Sequence, residues 1–179
     1  MRASRIATGV EIMSADRTSQ PPWARGTAPQ GLAAATPSTQ TPGPDAAGHV
    51  ERDEPPLVRL DIAATPAVVV PGAIARLRIE LRPDAAAHAH WNNEAGDTQL
   101  WLDPPEGWRL DERLHSIANP PEDVSTEPRT FQFELRAPDG VEGVATLRGY
   151  ALYFVCEDVT GVCMFRRQDF QVRLEARKP

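Results

Sequence analysis

Strict alternation of apolar and charged side chains is the feature that most limits what this chain can become. Ala75, Leu77, Ile79 and Leu81 alternate with Arg76, Arg78, Glu80 and Arg82. Phe131, Phe133 and Leu135 alternate with Gln132, Glu134 and Arg136, and Phe170, Val172 and Leu174 with Gln171, Arg173 and Glu175. A period of two sends one set of side chains to each face of a strand, so each stretch predicts a strand with one face in a core. Weaker strands are expected at Leu57–Ile62, Ala67–Val70, Gln99–Asp103 and Val144–Leu147. The run Tyr150–Val155 is apolar throughout, which predicts a central strand covered on both faces. No segment from Leu57 onward keeps a helical period, and 18 prolines are too many for a mainly helical protein.

Turn signals punctuate these runs at Pro71-Gly72, Pro83-Asp84, Pro104-Pro105-Glu106-Gly107, Pro138-Asp139-Gly140 and Thr160-Gly161. Seven or eight short strands over about 120 residues predict an all-β fold, an immunoglobulin-like β-sandwich spanning residues 57–179. Residues 1–56 read differently. Eight of the 18 prolines lie there among Gly, Ala, Ser, Thr and Gln, with Trp23 as the only large aromatic residue. Such a segment buries too little apolar area to offset about 1–2 kcal/mol of ordering entropy per residue, so a disordered arm is expected. Its opening is not a signal peptide by the usual pattern, because the stretch Ile6–Met13 after Arg2 and Arg5 is short and is interrupted by Glu11. A net charge of −6 argues against nucleic acid or an anionic membrane as a general partner. No apolar run approaches the roughly 18 residues of a membrane span.

The chain has two cysteines, Cys156 and Cys163, with six residues between them. If Asp158–Gly161 forms a hairpin turn with Gly161 left-handed, Cys156 lies directly opposite Cys163. Opposed residues of an antiparallel pair have Cα atoms about 4.5–5.5 Å apart, inside the range of about 4.4–6.8 Å that disulfides accept. Closing so short a loop contributes roughly 2–3 kcal/mol at best, little for a sandwich with its own core. A locally closed bond at a hairpin end suits exchange chemistry better than architecture. Glu157 and Asp158 follow Cys156, whereas Arg166 and Arg167 follow Cys163, so Cys163 is expected to attack partners and Cys156 to resolve. A structural disulfide, or two inert thiols, fits the same spacing.

The stretch Tyr150–Val172 resembles the end of the N-terminal periplasmic domain of the DsbD family. It has an aromatic-rich strand, then Val155-Cys156-Glu157-Asp158, then Gly161-Val162-Cys163 and an alternating final strand. The middle of the chain, His90-Trp91-Asn92-Asn93-Glu94-Ala95-Gly96-Asp97-Thr98 followed by Leu102-Asp103-Pro104-Pro105-Glu106-Gly107-Trp108, is similar to a motif of DsbD-like and ScsB-like proteins. The resemblance covers roughly residues 57–176. It implies an immunoglobulin-like domain that passes reducing equivalents by thiol–disulfide exchange and needs no diffusible cofactor. The implied partners are a thioredoxin-fold protein or a DsbD-like membrane reductase on one side and oxidised substrate proteins on the other, in the periplasm or another extracytoplasmic space. It also implies a cap loop over the cysteines, here Leu110–Pro121, with Asp111 and Glu112 managing protons or thiol acidity. Two departures stand out: the family has one residue fewer between its cysteines, and Leu114 replaces the cap aromatic. With no export signal read at the start, the cytoplasm stays open as a compartment.

His88 and His90 share a face if their segment is a strand, and with His115 and the cysteines they suggest a copper or zinc site, although histidines in an alanine-rich loop are commonly solvent-exposed. Trp91, Trp101 and Trp108 either line a ligand groove or pack the core and its ends, and residue type favours packing. The rival to exchange is a non-catalytic binding or interaction module with a structural disulfide; a metal-binding protein is the third reading.

Overall fold

The computed structural model describes residues 42–178. The fold is an all-β, immunoglobulin-like sandwich. Its strands, in chain order, are β1 (Val58–Thr65), β2 (Val68–Val69), β3 (Ile74–Pro83), β4 (Ala89–Asn92), β5 (Thr98–Asp103), β6 (Leu114–Ile117), β7 (Val124–Ser125), β8 (Arg129–Arg136), β9 (Gly143–Glu157) and β10 (Val162–Ala176). One sheet is antiparallel in the order β1-β3-β8. In the other, β9 lies between β10 and two short strands placed end to end: β5 pairs with Arg148–Leu152 and β4 with Val155–Glu157. β6 extends the sheet from β5, β7 extends it from β4, and β2 joins the far end of β10 in parallel.

The alternating residues meet between the sheets as read. Leu77, Ile79, Leu81, Phe131, Phe133 and Leu135 face Leu147, Ala151, Tyr153, Val155, Phe170, Val172 and Leu174 in one buried cluster. Full burial of each large aliphatic or aromatic side chain contributes about 1.5–3 kcal/mol, which is why these positions dominate the fold. Trp91 and Trp108 belong to this core. Trp101 lies half-buried in a groove on the outer face of the larger sheet. The expected strands at Val144–Leu147 and Tyr150–Val155 merge into the single strand β9. Gly149 joins them, because a Cβ there would come within 2.5 Å of Phe170 Cζ and 2.7 Å of the Trp101 carbonyl oxygen.

Of the expected disordered arm, residues 1–41 lie outside the described residues. Residues 42–56 are part of the packed structure, which moves the boundary expected at 56/57 toward the N-terminus. Asp53 N–H donates to the Arg167 carbonyl at 3.0 Å and Arg167 N–H donates to the Glu51 carbonyl at 2.9 Å, so the segment pairs with the edge of β10. The buried Asp53 carboxylate accepts from the amides of Leu57 and Val58 and, at 2.7 Å, from the Tyr153 hydroxyl. Asp45, also buried, accepts from His49 N–H at 2.7 Å and from Arg167 Nη1 at 2.8 Å. Composition weighs apolar area alone, whereas this segment is held by two carboxylates with buried polar partners.

Candidate functional site

The last two strands form a long hairpin in the register expected for the cysteines. Val162 pairs with Glu157 and Cys163 with Cys156. Asp158–Gly161 is the turn; Gly161 has φ +65° and its N–H donates to the Glu157 carbonyl at 2.9 Å. Glycine takes that conformation without the penalty a Cβ would bring. The two sulfurs are bonded, with Cα atoms 3.9 Å apart.

The two halves of the disulfide differ in exposure. Cys156 is 3% exposed, whereas Cys163 is open to solvent. On the far side of Cys156, its ladder partner on β4 is His90. His90, Cys156 and Cys163 therefore form a row across three adjacent strands on the outer face of the sheet. The neighbouring residue Trp91 points the other way, into the core, edge-on to Tyr153 at 5.7 Å. His90 Nδ1 lies 3.0 Å from Asp158 Oδ1 on the hairpin turn, and the imidazole is 19% exposed. In the next row along the hairpin, Phe154 and Phe165 are directly opposed and stacked, with ring centroids 4.5 Å apart. The loop at Gly96 rests on the Phe154 ring.

Other expected site residues lie elsewhere. Asp111 and Glu112 are exposed and line a depression with Leu110, His115 and Phe133. The strand that follows them begins at Leu114, which pairs with Trp101, itself opposite Tyr150. Tyr150 is six residues from Cys156 along β9, about 20 Å at roughly 3.3 Å per residue. The stretch expected to cap the cysteines instead continues into β6, which pairs with β5, and its His115 ring stacks on Phe133 of the smaller sheet with centroids 5.6 Å apart. That placement takes Asp111, Glu112 and Leu114 away from the sulfurs.

The arginines that follow Cys163 do not serve its sulfur. Arg166 pairs with Glu51 and reaches Met164 Sδ at 2.9 Å. Arg167 is held by Asp45 and Asp169, with its guanidinium carbon 3.7 Å from the Tyr150 ring centroid. Both guanidiniums are committed to other partners, so burial rather than flanking charge separates Cys156 from Cys163. His88 leaves the expected strand face: it has φ 51° and caps the short 3-10 turn Ala85–Ala87. Among the described residues no group of three or more His, Cys, Asp or Glu side chains is gathered for a metal ion.

Farther along the same outer face is a groove of about 670 Å³ lined by Trp101, Tyr150, Arg148, Arg167, Asp45 and Asp169. The fold and the site together define an immunoglobulin-like β-sandwich with a cross-strand disulfide at the end of its longest hairpin. The sequence matches no protein-family model and no curated protein. Among solved structures, similarity is found to AvmM, described as catalysing macrocyclization in alchivemycin A biosynthesis, at 13% identity over 69% of this chain and 90% of that chain, TM-score 0.36. PapD-like domain 7 of human CEP192 matches at 12% identity over 67% and 86%, TM-score 0.34. AggA, the major subunit of aggregative adherence fimbriae type I from Escherichia coli, matches at 12% identity over 72% and 99%, TM-score 0.34.

Proposed function

We propose that this domain is a thiol–disulfide exchange module of the DsbD-like kind. Cys156 and Cys163 would pass reducing equivalents between a thioredoxin-fold protein, or a DsbD-like membrane reductase, and oxidised substrate proteins. The observation that carries this reading is the unequal exposure of a bonded pair at the open end of a hairpin. An incoming thiolate can reach Cys163, while Cys156 is covered and is suited to resolve the mixed disulfide.

A second consideration supports exchange over a purely structural bond. β9 and β10 pair along fifteen residues each, and the turn is closed by its own backbone hydrogen bond. The covalent link sits beside a ladder that already fixes the register. An extracytoplasmic space, where disulfides persist, is the setting this reading calls for.

Trapping in the native host tests it. Cys156→Ser leaves Cys163 free to attack and should accumulate mixed disulfides with a partner; Cys163→Ser should capture little. Capture by Cys163→Ser alone would reverse the assigned roles, and capture by neither variant would favour the structural bond.

A further inference from the structure

We propose that His90 handles the proton of Cys156 each time the disulfide opens or closes, a role that rests on the exchange reading above. Strand register brings the groups together. His90 on β4 and Cys163 on β10 flank Cys156 on β9, all on the same face. Directly opposed residues hold their Cβ atoms about 4.5–5.5 Å apart, so the imidazole is the lateral neighbour of the buried sulfur. Asp158 Oδ1 is 3.0 Å from Nδ1 and holds the ring from the turn side. Carboxylate, imidazole and sulfur thus follow one another in the order used elsewhere to activate a thiol.

The exchange step needs such a group. A thiolate of a partner dithiol attacks Cys163 Sγ. A bond forms between the partner's sulfur and Cys163 as the Cys156–Cys163 bond breaks, and Cys156 leaves with the electron pair. Cys156 is 3% exposed, so little water reaches the thiolate it becomes, and burial disfavours that charge. A protonated His90 donates to the leaving sulfur, giving a neutral thiol and a neutral imidazole. The partner's second thiolate then attacks its own sulfur in the mixed disulfide, releasing Cys163 as a solvent-facing thiolate. The partner departs as a disulfide, and two electrons have moved to the cysteine pair. In the opposite direction, neutral His90 takes the proton from Cys156 so that its thiolate can resolve the mixed disulfide.

The titratable groups around the imidazole are Asp158 on the turn, Glu157 beyond Cys156 and the two cysteines. Glu157 accepts a hydrogen bond from Thr160. On the side of β7 the ladder carries Ser125 and Val124, and Glu127 beyond it acts on Arg82.

The test is stopped-flow reduction of the oxidised protein by dithiothreitol from about pH 6 to pH 9, comparing wild type with His90→Gln. General-acid assistance is typically worth about 10²–10⁴-fold, and even a weak form of it predicts a rate ratio of at least about ten at pH 6. That ratio should fall toward one as the pH is raised to 9, the trend expected of general-acid assistance. Asp158→Asn, on the exposed turn, should show a smaller ratio with the same pH trend, which separates the effect from misfolding of the β4 variant. A ratio that stays near one, or that is flat with pH while wild type is readily reduced, overturns the role of His90 alone. A wild-type disulfide that resists dithiothreitol across the whole range overturns the exchange reading and this inference with it.

Discussion

Suppose the Cys156–Cys163 bond is reduced while the domain stays folded. The bond spans a sequence separation of 7, and at 25 °C the loop-closure expression for about eight residues gives about 2.5 kcal/mol. That is the stability removed by letting the unfolded chain open this loop. The native side of the balance should change little, because the ladder beside the bond pairs fifteen residues on each strand. Reduction should therefore destabilise the domain by no more than about 2.5 kcal/mol. At 30 mV per 1.4 kcal/mol this corresponds to a midpoint lowered by about 50 mV relative to the same pair in an unfolded chain. Urea unfolding of the oxidised protein and of protein held in dithiothreitol measures the difference, with m nearly unchanged because the freed loop is small. A loss above about 4 kcal/mol, or unfolding on reduction alone, would show that the covalent bond holds the hairpin and would refute the reasoning.

Three further outcomes follow from the packing. Tyr153→Phe removes the 2.7 Å hydrogen bond to buried Asp53 and should cost about 1.5–3 kcal/mol in urea unfolding, the range for a hydrogen bond to a charged group; a loss under about 0.5 kcal/mol would mean the N-terminal segment is not anchored there. Burial pushes the Asp45 carboxyl up, but Arg167 and the amides of His49 and Val50 outweigh it and hold it below its ordinary 3.8. The stability it contributes is complete above that ordinary value and is lost as pH falls through the depressed folded one, so Asp45→Asn should flatten the acid limb of a stability–pH profile without steepening the neutral region. Gly149→Ala would drive a methyl group onto Phe170 and the Trp101 carbonyl and should cost about 1–3 kcal/mol, read as a lowered thermal midpoint.

The long strands were legible because their burial alternates with the chemistry of their side chains. β3 runs Ala75, Leu77, Ile79, Leu81 into the core, and the apolar run from Tyr150 is covered on both faces. The cysteine register was legible too, since Gly161 at the turn determines which residues oppose. β4, β6 and β7 were not, because two to four residues with few apolar side chains carry no period. The packing of residues 42–56 was not legible either, because its anchors are two carboxylates rather than a hydrophobic face. From the sequence, His90 reads as a candidate metal ligand or as part of the family-like middle motif. Its position beside Cys156 depends on pairing between β4 and β9, residues far apart in the chain, and nothing local announces it. Asp111 and Glu112 were expected only from a resemblance, whereas the strand that follows them, β6, pairs with β5 and not with the cysteine hairpin.

The most direct measurement is the midpoint potential of the Cys156–Cys163 pair, obtained by labelling free thiols after equilibration in dithiothreitol or glutathione buffers. An exchange module should titrate between the thioredoxin and disulfide-isomerase values, about −270 to −180 mV. A midpoint below about −300 mV would mark the bond as a resistant structural one and contradict the assignment.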